Sequence, residues 1–237
     1  ILTKYKVRVS WVQMKGLIGL SFVYALIPIL LYSSYTYIDS GLATTLHFTY
    51  PAAVVLILAL LFREHITKRQ IVCIGICMIG IFLLYTPMGD MNLYGVLLAV
   101  SSGIAYAFYI ILLRKSRMNT MPTLVASFWL ALLSSIEIGI TAFFTGNFVF
   151  DMKYQAWVSE FILALTATVI ALVLFQKGIY LCGEIKASLL SAFEPITGVT
   201  LGIVLFHENI KYKEVLGISC ILLAVLILVV QKNNDPK

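Results

Sequence analysis

Residues 43–74 read ATTLHFTYPAAVVLILALLFREHITKRQIVCI, and residues 187–218 read ASLLSAFEPITGVTLGIVLFHENIKYKEVLGI. Laid against each other at an offset of 144, they are identical at nine positions: Ala43/Ala187, Leu46/Leu190, Pro51/Pro195, Val55/Val199, Leu61/Leu205, Phe62/Phe206, Glu64/Glu208, Ile66/Ile210 and Ile74/Ile218. Leucine-rich helices match by chance, so the apolar identities carry little weight. The proline pair and the glutamate pair, held at one offset, carry more. Each stretch is an apolar run with a proline inside it and a glutamate at its end, which reads as a broken membrane-spanning helix.

The rest of the chain is of the same kind. Apolar residues make up 61% of its 237 residues and charged residues 12%, against about 45–50% and about 25% in an ordinary soluble domain. Mean hydropathy is +0.98. These values exclude a soluble enzyme, a coiled coil and a disordered regulator. The apolar runs are continuous for about 20 residues, whereas barrel strands alternate over about 10. The chain is therefore expected to be an all-α polytopic membrane protein. Eight spans are expected, at 17–38, 41–62, 70–87, 92–113, 122–145, 158–181, 186–206 and 212–231. Thr67 to Gln70 reads as a capping box opening the third span, and Asn92 caps the fourth after the turn at residues 87–90. Trp11 and Trp157 fall near interfaces, as anchoring aromatics do.

The net charge is +6. In a soluble protein this would raise nucleic acid, but here the basic residues lie in short loops, so no nucleic-acid partner is expected. With the N-terminus in the cytoplasm, 14 of the 17 Lys and Arg residues fall on the inner side, among them Lys4, Lys6, Arg8, Arg63, Arg114 and Lys115. Only Lys153, Lys211 and Lys213 fall outside. The bias predicts a multi-pass protein of the cell (inner) membrane with both ends of this chain cytoplasmic.

Five spans separate the two copies of the repeat, and an odd shift reverses direction across the membrane. The expected fold is an inverted-repeat helix bundle, an arrangement that favours alternating access. An equivalent of the fourth span would begin about 50 residues before Ile1, so eight spans of an expected ten are present. Residues 1–87 form the first repeat without its first two helices, and residues 88–237 form the complete second repeat.

Three stretches resemble the drug/metabolite transporter superfamily, and within it the EamA family. They are Thr49-Tyr50-Pro51 through Leu61-Phe62-Arg63-Glu64 to Ile66-Thr67, then GVLLAVSSGIAYAFYIILLRK at residues 95–115, then Phe193-Glu194-Pro195 through Leu205-Phe206-His207-Glu208 to Gly217. The middle stretch is similar to the opening helix of the second EamA repeat. The resemblance implies a ten-helix inner-membrane carrier of metabolites, often an exporter, with a central cavity.

Glu194 is the most informative residue. A carboxylate inside a span costs about 2.5–3.5 kcal/mol on insertion scales, unless it faces a watery cavity or a partner. It is a candidate for binding a substrate amine or for proton coupling, set against a buried carboxylate bonded to a neighbouring helix. Pro195 removes a backbone donor, so the carbonyl one turn earlier is a candidate ligand. Thr44, His47 and Tyr50 before Pro51, and Ser188, Ser191 and Glu194 before Pro195, fall at equivalent depth on one helix face. His47 is able to titrate near neutral pH. Tyr106 and Tyr109 share a face of the fourth span with Ser102 and suit a cavity for amphipathic metabolites. Gln176 is a further candidate, Lys177 is expected to snorkel, and Tyr24 near Pro28 is a weaker one. Glu137 is expected to make a structural polar contact, and Glu64 and Glu208 to fix helix ends. Gly198 and Gly202 permit close helix approach.

The four cysteines show no Cys-x-x-Cys spacing and read as small packing residues. No phosphate-binding loop, metal-ligand spacing or nucleophile elbow occurs, so no enzyme activity, metal or cofactor is expected. The expected function is secondary transport, with export favoured, of a small metabolite such as an amino acid. The expected partners are that substrate and the lipid bilayer, with a homodimer left open. The alternative is a non-transporting, shortened membrane paralogue that acts as partner or scaffold.

Overall fold

The computed structural model of the chain describes residues 9–84, 92–116, 121–148, 150–206 and 212–229. Helix α1, Trp11–Ser34, begins six residues before the expected span. Ser10 and Gln13 form a capping box, with the Ser10 N–H donating to Gln13 Oε1 (2.9 Å) and the Gln13 N–H to Ser10 Oγ (3.3 Å). That box starts the helix in the polar flank, and the Lys15 ammonium lies 5.8 Å from the Trp11 ring centre.

The second span is two helices, α2 (Ser40–His47), capped by Asp39, and α3 (Tyr50–Leu60). The third is α4 (Lys68–Leu84), entered through the expected Thr67–Gln70 box: the Thr67 N–H donates to Gln70 Oε1 (2.8 Å) and the Gln70 N–H to Thr67 Oγ1 (3.3 Å). Asn92 Oδ1 accepts from the Tyr94 N–H (2.9 Å) and opens α5 (Leu93–Lys115). Next come α6 (Thr123–Phe144) and α7 (Tyr154–Leu163). A π-helical stretch at Ala164–Ala171 joins α7 to α8 (Leu172–Cys182) in one rod. Gly183, at φ +86°, turns the chain into α9 (Glu184–Leu190), followed by α10 (Phe193–Phe206) and α11 (Tyr212–Val229).

Among the described residues, five rods are long and apolar enough to cross a bilayer: Trp11–Ser34, Ser40–Leu60, Leu93–Lys115, Thr123–Phe144 and Tyr154–Cys182. Helix α4 has 17 residues, and the apolar part of α11 is Val215–Ile227, both below that length. The molecule is an all-α, multi-pass membrane bundle. Lys4, Lys6, Arg8, the turn at residues 87–90, His207, Glu208 and Lys211 lie outside the described residues, as does the packing around Gly198 and Gly202.

Helix α1 packs against α5 and α6, α3 against α5 and α9, and α4 against α11. The α4–α11 seam is closed by two glycines: a Cβ on Gly80 would lie 2.8 Å from the Gly217 carbonyl oxygen, and one on Gly217 would lie 2.8 Å from that of Gly80. Backbones this close gain dispersion contacts, the main attraction between helices in lipid. The core runs through Leu17, Tyr50, Val54, Leu58, Ile110, Leu130 and Ile179.

Both internal breaks precede a proline and are not kinks at one. Pro51 is the second residue of α3 and Pro195 the third of α10, within the first turn, where the missing N–H leaves no intrahelical bond unmade.

Candidate functional site

The two breaks face one cavity of about 570 Å³. Its walls come from the second half of α1 (Tyr24, Ile27, Pro28, Leu31, Tyr32) and the residue after it (Tyr35), from α2, the break after it and the start of α3 (Thr44, His47, Phe48, Tyr50), from α5 (Tyr106), from α8 and the residue before it (Ala171, Leu172, Phe175), and from the second break (Ser191, Glu194). The cavity reaches from mid-bundle toward the end where α1 finishes, at the exposed Tyr32 and Tyr35. Among the described residues Glu194 is its one carboxylate, and no Lys or Arg lines it.

Hydrogen-bond counting orders the polar groups. The Ser191 hydroxyl gives its one proton to the Ser188 carbonyl (2.7 Å), so the Tyr50 hydroxyl is the donor in the bond between Tyr50 and Ser191. That bond ties the two helix breaks together across the cavity floor. In the same way, Ser102 gives its proton to the Ala99 carbonyl (2.7 Å), so His47 donates from Nδ1 to Ser102 Oγ (2.9 Å). In a neutral ring this leaves the His47 Nε2 lone pair uncommitted to Ser102. The close approach of α2 to α5 depends on Gly103, where a Cβ would lie 2.7 Å from the His47 carbonyl oxygen.

Tyr106 is the hub of the aromatic wall. Its ring stacks on His47 (centroids 5.4 Å apart) and Phe175 (5.8 Å) and meets Tyr50 edge-on (4.6 Å). Flat apolar faces with hydroxyls at their rims accept an amphipathic ligand.

Of the residues singled out from the sequence, Glu194, His47, Tyr50, Ser191, Tyr106, Thr44 and the weaker candidate Tyr24 line the cavity. Tyr109 and Gln176 do not. They lie buried behind the wall, where Gln176 Nε2 donates to the Tyr109 hydroxyl (3.1 Å) and Gln176 Oε1 accepts from Ser127 (2.9 Å). Ser188 is also buried and bonds back to the Ile185 carbonyl (3.0 Å). The Ser191 carbonyl, expected to be freed by Pro195, is taken by the Glu194 N–H (2.9 Å). Glu137 meets Ser21 of α1 at 2.8 Å, the structural contact expected for it.

Sequence reading missed most of the α1 wall. Leu31 and Tyr35 continue the face of Tyr24 and Pro28 at helical spacing, a signal available in the sequence. Among the described residues no group of three or more His, Cys, Asp or Glu side chains is placed to hold a metal.

Fold and site together define a multi-pass helical membrane protein with a part-polar, aromatic cavity between two broken helices. The chain belongs to the EamA-like transporter family, whose model matches residues 1–86 and 93–230. It is 29% identical over 221 residues to the uncharacterized transporter sll1319 of Synechocystis sp. (strain ATCC 27184 / PCC 6803 / Kazusa), covering 90% of this chain and 66% of that protein. An uncharacterized transporter of Archaeoglobus fulgidus is 24% identical over 170 residues, covering 72% of this chain and 60% of that protein. The chain thus spans about three fifths to two thirds of the length of these relatives. A crystal structure with 17% sequence identity superposes with a TM-score of 0.77 over 97% of this chain and 80% of its own, a likeness of fold.

Proposed function

We propose that the chain forms the cavity-bearing part of a secondary transporter that moves a small polar or amphipathic metabolite by alternating access. The observation that carries this reading is the cavity between the two helix breaks, with Glu194 its one carboxylate and no cationic side chain on its wall among the described residues. A cationic amine suits that electrostatic balance, so an amino acid or related organic cation, exported, is the favoured substrate. Glu194 binds the amine or carries the coupling proton, Tyr50 and Ser191 hold the breaks together, and His47 and Tyr106 form the wall.

The architecture proposed with this function is an inverted repeat, with residues 1–87 and 88–237 as its halves and eight spans of ten in this chain. Helix bounds support it: adding 144 to those of α1 falls within Tyr154–Cys182, and adding it to those of α4 gives 212–228 against Tyr212–Val229 for α11. Helix α1 is covered by α5 and α6, whereas the most apolar window of its counterpart, Tyr154–Cys182, is only 6% buried. The equivalents of α5 and α6 fit that bare face. The charge bias supports an inner-membrane protein with the N-terminal face in the cytoplasm.

The test is uptake and counterflow by the purified protein in sealed vesicles over a panel of amino acids and amines, with and without a pH gradient. Glu194→Gln is expected to lower transport of the active amine at least about tenfold and to remove its pH dependence. A Glu194→Gln variant with wild-type, pH-dependent transport removes the role assigned to Glu194.

A further inference from the structure

At the end of the bundle opposite the cavity mouth, the structure gathers four charged side chains, Glu64, Arg114, Lys115 and Glu184, of which the sequence suggests Glu64 as a helix-end group and Arg114 and Lys115 as inner-side charges. Helix α3 ends at Leu60, and Arg63 takes a φ of +54°, a left-handed conformation that non-glycine residues rarely hold. The turn brings the Glu64 N–H back onto the Leu58 carbonyl (3.0 Å). It also brings the Glu64 carboxylate to the last residue of α5, with Lys115 Nζ 2.5 Å from Glu64 Oε1 and 4.4 Å from the centre of the Phe62 ring. The neighbouring Arg114 reaches the other way. Its guanidinium donates to the carbonyls of Ile179 (3.2 Å) and Tyr180 (2.6 Å) on α8, and its Nε lies 3.8 Å from Glu184, the first residue of α9. One helix end thus joins the segment after the first broken helix to the segment before the second break.

Between this cluster and the cavity floor at Tyr50 and Tyr106 the bundle is packed with apolar side chains. Val54 and Leu58 on α3 and Ile110 and Leu113 on α5 are buried in the core. The ion pairs themselves are part-exposed, with 32% and 41% of the Lys115 and Glu64 side chains accessible. Ion pairs open to water are individually weak, as a contact broken in every cycle must be.

We propose that Lys115–Glu64 and Arg114–Glu184 are the gate of the N-terminal face. They hold both broken helices shut at that end while the cavity opens at the other, and they part when the cavity changes sides. The inference rests on the alternating-access reading above. It adds a role for four residues outside the cavity, and it makes α5 the strut against which both halves lock. An element with two discrete arrangements is the requirement for such a switch, and the ion pairs bias it toward one of them.

The test uses cysteine reporters in the full chain, in sealed vesicles of defined orientation. Labelling by a membrane-impermeant thiol reagent is read at the reporter position by mass spectrometry, so native thiols do not count. Leu58→Cys, in the buried apolar plug, is expected to label slowly from the N-terminal face. Adding Lys115→Ala or Glu64→Gln is expected to raise that rate at least about threefold. The charge-reversed pair Lys115→Glu with Glu64→Lys is expected to bring it back, which a general loosening of the fold does not do. Unchanged labelling in the single variants, or no recovery in the reversed pair, overturns the gate.

Thr44→Cys, on the cavity wall, separates the two readings. If the gate variants speed Leu58→Cys and slow Thr44→Cys from the opposite face, gate and alternating access both stand. If Leu58→Cys speeds up while Thr44→Cys is unchanged, the ion pairs only seal that face, and the alternating-access reading fails together with the gate that rests on it.

Discussion

Two serines show how little separates a packing residue from a wall residue. Ser188 and Ser191 lie less than one helical turn apart, and each bonds back to a carbonyl three residues earlier. Only Ser191 also receives the Tyr50 hydroxyl and faces the cavity. Gly103 is equally decisive without being polar, since it lets the His47 carbonyl rest against α5. Gly103→Ala is expected to push α2 outward and cost about 1–3 kcal/mol, because a Cβ at 2.7 Å from a backbone oxygen forces one helix to move. A lowered thermal midpoint in detergent measures the cost, and an unchanged midpoint would show that the helix break yields freely. Residue types at the site were legible from sequence because a carboxylate or imidazole inside an apolar run stands out. Their directions were not, which is how Tyr109 and Gln176 came to be expected on the wall and are found behind it.

The break in each two-part span follows from local chemistry. A proline in the first turn of α3 or α10 suits a helix start, and the residues before it turn away. The caps at Thr67, Asn92 and Ser10 are local as well, and each depends on a partner two or three residues away. The Ser10 box set the start of α1 six residues before the apolar run, because a helix begins where its first N–H groups find acceptors. Pairing of elements is a different matter. Helices α4 and α11 meet through Gly80 and Gly217, about 140 residues apart in sequence. Gly80→Val is expected to wedge this seam open, since a Cβ there would lie 2.7 Å from Ile221 Cγ1. A fall of about 2 kcal/mol or more in stability is expected, from overpacking plus lost contact. Near-native stability in a chemical-denaturation series of the variant would show that the two helices slide apart without cost.

For the whole molecule, the helix order puts the start of α1, the ends of α3, α5 and α8 and the start of α4 at one face. The ends of α1 and α6 and the start of α5 lie at the other. The proposed topology, drawn from the distribution of Lys and Arg, puts the first face in the cytoplasm. A cysteine at Ser116 is therefore expected to label only from the cytoplasmic side and one at Asn147 only from the outside. The reverse result in oriented vesicles would invert the proposed direction of every step. The low burial of the apolar window in Tyr154–Cys182, 6%, fits the ten-span architecture proposed above.

The amino-acid sequence alone determined that this is a multi-pass helical membrane protein, which prolines stand beside its helix breaks, and its family likeness. Those properties depend on apolar length, charge in loops and prolines, all read within about 20 residues. Tertiary structure alone decided which faces meet. The spans are apolar nearly all round, so no hydrophobic stripe distinguishes a neighbouring helix from lipid, and rotation about each axis is set by close packing of small residues and a few polar bonds. For that reason the cavity wall on α1, the Tyr50–Ser191 tie and the charged cluster on α5 emerge only when the helices are assembled.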